Sequence, residues 1–146
     1  MKPGRHTQRS AATALAGVAI VSFAAGCAAG PDVSVVRSDG MILLVNNDGR
    51  AGMDAQVRGT VALTGSGCVA VDAGDGAELV PVLWPRGTTL DAATVVLPGG
   101  DRLDIGDALD GGGGYTAPGE PWEADIPPEC APTDGVFVRL TSAGRG

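Results

Sequence analysis

From residue 56 onward, apolar and polar positions alternate with a period of two. Val57, Gly59, Val61 and Leu63 fall on one side, and Gln56, Arg58, Thr60 and Ala62 on the other. That spacing predicts a strand with one buried face. Gly65-Ser66-Gly67 predicts a turn into a second strand over 68–71, and Asp72-Ala73-Gly74-Asp75-Gly76 predicts another tight turn. The run 79–84 is apolar at odd and even positions alike, as in a strand covered on both sides. Pro81 inside it has no N–H to give to a ladder, so an edge or a bulge is expected there. Residues 94–97 and 102–105 flank Pro98-Gly99-Gly100-Asp101 and read as a hairpin. On that reading Leu103 and Ile105 point inward and Asp104 faces solvent. A last strand is expected over 136–140.

The flanking stretches are less regular. Residues 27–50 read as a tether or a weak first element, with short apolar runs at 33–36 and 41–45 and a turn at Asn46-Asn47-Asp48-Gly49. Residues 110–134 read as a long irregular segment holding Gly111 to Gly114, Tyr115, Trp122 and Cys130. Helical periodicity is absent, and glycine and proline punctuate the chain every 8–12 residues or so, as in small barrels and sandwiches. The expected fold of residues 51–146 is a small all-β barrel of about five or six strands, of OB-like type. A β-sandwich is the alternative architecture.

The N-terminus carries a different pattern. Lys2, Arg5 and Arg9 precede an apolar stretch over 11–25 that ends in small residues before Cys27. A basic start, a short apolar middle and a small-residue exit make a secretory signal over 1–26. The stretch is short of the ~20 apolar residues a membrane span needs. Phe23-Ala24-Ala25-Gly26-Cys27 resembles the lipobox of bacterial lipoproteins, with Ala24 where a larger aliphatic residue is usual. The resemblance implies a diacylglyceryl group on the Cys27 thiol and cleavage just before it. It places the protein at the outer face of the cytoplasmic membrane, with the lipid as its contact to the bilayer. Cleavage after Ala29, giving a freely secreted protein, is the alternative.

Cysteine parity fits the lipid reading. Of the three cysteines, lipidation of Cys27 leaves Cys68 and Cys130 as a pair, expected to be a disulfide outside the cytoplasm.

Removing residues 1–26 also removes three of the ten basic residues and none of the seventeen acids, leaving a net charge near −10. A domain this acidic repels nucleic acid and anionic headgroups. Lys2 is the only lysine and His6 the only histidine. The exported part therefore carries no imidazole for a nucleophile–His pair or a metal, and no ammonium for a Schiff base or a phosphate clamp. No cofactor is implied, and Gly111 to Gly114 is followed by neither lysine nor a helix, so it is no phosphate loop.

Carboxylates and aromatics remain. Asp101, Asp104, Asp107 and Asp110 recur every third residue, and a calcium site or a glycosidase-like acid pair is the functional reading of such a run. The strand spacing and the lack of a ligand-spaced loop favour solvated turn carboxylates, and the same holds for 72–78. Trp84, Arg86, Tyr115 and Trp122 are the residue types enriched in recognition hot spots and form the candidate binding surface. In a domain with few large residues to bury, Trp84 also fits the role of core anchor, with Trp122 covering an open end.

Residues 58–115 are similar to a group of small secreted proteins of high-GC Gram-positive bacteria. The likeness rests on Gly67-Cys68, Leu83-Trp84-Pro85-Arg86-Gly87-Thr88, Leu97-Pro98-Gly99-Gly100, Gly106-Asp107 and Gly111 to Gly114. It implies export and an all-β fold, and no catalytic residue. The expected function is a non-catalytic binding or assembly role toward an envelope protein or a cell-wall polymer. A carboxylate-dependent cell-wall hydrolase and a calcium-stabilised adhesion-type module are the alternatives.

Overall fold

The computed structural model describes Met1 and residues 30–49, 55–74 and 76–146; the export segment and Cys27 lie outside the described residues. The chain is built of strands: β1 (Val33–Ser38), β2 (Met41–Asn46), β3 (Ala55–Leu63), β4 (Val69–Asp72), β5 (Val80–Trp84), β6 (Thr89–Asp91), β7 (Thr94–Val96), β8 (Arg102–Leu103), β9 (Ala108–Tyr115) and β10 (Val138–Arg145). Two 3-10 turns, Pro121–Asp125 and Pro128–Cys130, lie between β9 and β10.

Five strands close on themselves in the order β3-β4-β5-β10-β9 and back to β3. Every pairing in this ring is antiparallel except β5–β10, which is parallel. A five-stranded ring with this crossover is an OB-type barrel. The wall closes on itself, so the two-sheet sandwich is excluded.

β2 fits where the wall would otherwise gape. β5 pairs with β4 only through Val80 and Pro81, and with β2 through Leu83 and Trp84. The proline thus stands where one ladder hands over to the next, the irregular position its missing N–H requires. β2 is buried at all six positions. Met41, Leu43 and Val45 join the barrel core, while Ile42 and Leu44 join a second core outside the wall. β5 divides likewise, with Val82 and Trp84 inward and Leu83 outward. Residues 33–46 are therefore a packed hairpin on the barrel.

The second core joins Val33, Ile42, Leu44 and Leu83 to Trp122, Ile126 and Phe137. It is stitched by Cys68 and Cys130, at disulfide distance with Cα atoms 5.6 Å apart. Thr116 and Phe137 close the segment over it. The Thr116 amide donates to the Phe137 carbonyl at 2.9 Å, and the Phe137 amide donates to Thr116 Oγ1 at 3.1 Å.

One end of the barrel is plugged. β6, β7 and β8 form a separate antiparallel meander, and its Val95, Leu97 and Leu103 belong to the barrel core. The expected 94–97/102–105 hairpin is β7–β8. Its second strand ends at Leu103, however, and Ile105 is an exposed turn residue rather than an inward one.

The expectation of an irregular segment from residue 110 is corrected at its start, because Gly111 to Gly114 lie within β9. A Cβ at Gly111 would strike the Ser142 carbonyl, and one at Gly113 the Arg139 carbonyl. β9 and β10 approach too closely for side chains, beside a register shift between Leu140 and Ser142. Glycine here permits a tight wall, not a flexible loop.

Candidate functional site

The strand directions put Ala55, Asp72, Val80, Tyr115 and Val138 at one end of the barrel, opposite the meander. This end is open. Val57, Val71, Val80 and Val138 floor a recess of about 170 Å³, with Gln56, Arg58, Glu78 and Tyr115 around it. Val57, Val71 and Val138 belong to the barrel core and Val80 packs against it, so the recess is the core seen from its mouth. A dry apolar cavity of ~150 Å³ admits one benzene ring, so the mouth has room for one six-membered ring or a short aliphatic branch.

Tyr115 ends β9, paired with Val138 at the start of β10. Its side chain is 61% exposed, unusually open for an aromatic in a domain that buries both tryptophans. Beside the recess, on the outer face of the β3–β9 wall, Arg58 Nε donates to Asp110 Oδ2 at 3.0 Å and Gln56 Nε2 donates to Asp110 Oδ1 at 3.1 Å. These bonds, Gln56 first and then Arg58, hold the Asp110 carboxyl below the usual carboxylate range. The rim is thus charged and ordered while the floor is apolar, the composition of small-ligand and anchor-residue pockets.

The four candidate surface residues are not brought together. Trp84 is fully buried in the barrel core, and Trp122 is buried in the second core, edge-on to Phe137 at 5.4 Å between centroids. Trp84 has no exposed surface, and Trp122 shows only an edge beside Thr116, Glu120 and Arg139. Arg86 is exposed, but it sits on the turn after β5, at the plugged end, where its guanidinium donates to the Asn47 carbonyl. It borders a wider depression of about 400 Å³ with Asn46, Asp48, Pro85, Pro98 and Thr141. Only Tyr115 lies at the mouth.

The carboxylates of the three-residue run are also dispersed. Asp104 accepts from Thr94 Oγ1 at 2.6 Å, Asp107 accepts from Arg145 at 2.7 Å, and Asp110 accepts from Gln56 and Arg58 on the outer face of the β3–β9 wall. Asp72 Oδ1 accepts from the Gly74 amide at 2.8 Å, a local turn bond. No group of three or more potential metal ligands occurs among the described residues.

The mouth residues Val57, Arg58, Glu78, Val80 and Val138 carry no local motif. They could be found only by knowing the strand order, because they are ordinary residues near the same end of β3, β5 and β10 or, for Glu78, of the connection into β5. No helix among the described residues is long and apolar enough to cross a membrane. No family model matches the chain, no curated protein matches it, and no solved structure matches it.

Proposed function

We propose that this is an exported protein, lipid-anchored through Cys27 at the outer face of the cytoplasmic membrane, with a non-catalytic binding role exercised at the barrel mouth. One observation carries the reading: an exposed tyrosine beside an apolar recess on a rigid ring of strands whose other end is filled. Aromatic side chains give large contact area at low entropic cost, and pockets beside them are where binding energy concentrates. The partner class is an envelope protein or a cell-wall polymer that inserts a ring or short branch into the recess. A carboxylate hydrolase needs two acids facing one bond, whereas Asp110 is engaged by Gln56 and Arg58, which favours binding over hydrolysis.

The test is a photo-crosslinking residue at Tyr115 in cells making the full chain, with Ile105 at the plugged end as the control position. A discrete adduct from position 115, absent at 105, supports the mouth as the binding surface. Identical adducts at both positions, or none at 115, would sink it. The anchor is tested separately by fractionation: wild type should sediment with membranes and Cys27→Ser should not.

A further inference from the structure

We infer that the anchored domain stands with its plugged end toward the bilayer and its mouth away from it, so that the mouth receives partners from the wall side and not membrane lipid. The inference rests on the anchor proposed above and adds the direction in which the site faces.

The chain joins the barrel at the plugged end. β2 runs parallel to β5, pairing Leu44 with Leu83 and Val45 with Trp84. Asn46, at the end of β2, therefore lies beside the end of β5, away from Val80 and the mouth. β1 is antiparallel to β2 and pairs Val33 with Asn46, so the start of β1 is at that same end. The chain just before β1 is fastened there as well. The Asn47 amide donates to the Asp32 carbonyl at 2.7 Å, and Asn47 Nδ2 donates to the Pro31 carbonyl at 3.1 Å. Gly30, Pro31 and Asp32 form one border with Asn47, Asp48 and Arg86.

From Pro31 onward the backbone is thus held to the barrel, and only the peptide units from Cys27 to Gly30 remain between lipid and fold. The four Cα–Cα steps from Cys27 to Pro31, fully extended, span about 14 Å. β9 runs from Ala108 near the plugged end to Tyr115 at the mouth in eight residues, about 25 Å along the strand. A link shorter than the wall keeps its own end of the barrel near the headgroups. The acidic surface, repelled by anionic lipid, works against the domain lying down on the bilayer.

This orientation is tested on the full-length, lipidated protein in liposomes of anionic and zwitterionic phospholipid with a headgroup-attached energy acceptor. A small fluorescent amino acid is placed at Asp32 in one sample, at Tyr115 in a second and at Glu78 in a third. Expected is loss of donor emission at Asp32 on adding acceptor lipid, with emission retained at both mouth positions. Equal losses at all three, or greater loss at the mouth, would overturn the orientation. Wild type that fails to float with the liposomes, as Cys27→Ser should fail, would instead remove the anchor and the orientation with it. Two mouth labels keep the result readable if one variant is misfolded.

Discussion

The guanidinium of Arg139 lies over the indole of Trp122, with Cζ 5.4 Å from the ring centroid. The arginine comes from β10 and the tryptophan from the 3-10 turn, so the contact fixes the outer segment to the barrel wall. The Arg139 side chain is only 15% exposed, with Asp48 4.0 Å away. A largely desolvated cation on an aromatic face is worth on the order of 1–2 kcal/mol. Arg139→Ala is expected to lower unfolding stability by about that amount and to shift Trp122 emission to the red. Trp84, buried in the barrel, serves as an internal reference. Unchanged emission with unchanged urea midpoint would show that the ring is held by packing alone.

The cysteine pair closes a 62-residue separation. A loop of that length corresponds to about 4 kcal/mol in the chain-entropy model. The Cys68→Ser/Cys130→Ser double variant should lose stability of this order, and wild type in strong reductant should approach it. Both sulfurs are buried, so reduction should require partial unfolding and be slow in native buffer. Rapid native-state reduction, or equal melting temperatures with and without reductant, would contradict the linkage.

Gly113→Ala places a methyl group against the Arg139 carbonyl, which is backbone and cannot swing aside. Overpacking of this kind costs about 1–3 kcal/mol. Gly99→Ala meets nothing within 4 Å and should change stability by less than about 0.5 kcal/mol. Thermal melts of the two variants check the pair, and similar losses would show that glycine content, not strand contact, sets the effect.

The Asp110 carboxyl is held below the ordinary range by Gln56 and Arg58. A depressed folded-state value means that its contribution to stability is present above the unfolded aspartate value and drains away as pH falls through the folded one. Carbon-detected titration should show Asp110 below the ordinary aspartate range, and Gln56→Ala or Arg58→Ala should move it upward. The group is at the surface, so the stability effect is small and screened by salt. An unmoved titration in both variants would refute the assigned cause.

Much of the barrel was legible because side chains carried the pattern. The alternation from Gln56 to Leu63 is β3, and the two-sided apolar run before Trp84 is β5, covered by both cores. β9 was hidden for the opposite reason. Its glycines are selected by backbone proximity to β10, and a strand without side chains has no periodicity to read. The packing of Val33 to Asn46 was equally obscure, since β2 alternates between two cores and shows no polar face. Of the candidate surface, Tyr115 was read into the irregular segment and instead ends β9, while the tryptophans were spent on burial. The mouth itself is a sum of five strand ends, and its signal is spread over the chain from Gln56 to Val138.

β10 is parallel to β5 and antiparallel to β9, and it alone joins those two walls. Until it arrives, the preceding strands form an open, twisted sheet with unpaired edges on β5 and β9. Closure therefore depends on contacts between residues more than fifty positions apart, a high-contact-order event of the millisecond-to-second kind. A chain ending before Val138 would present two sticky edges and aggregate rather than fold, so barrel assembly is a single act completed from the C-terminal side.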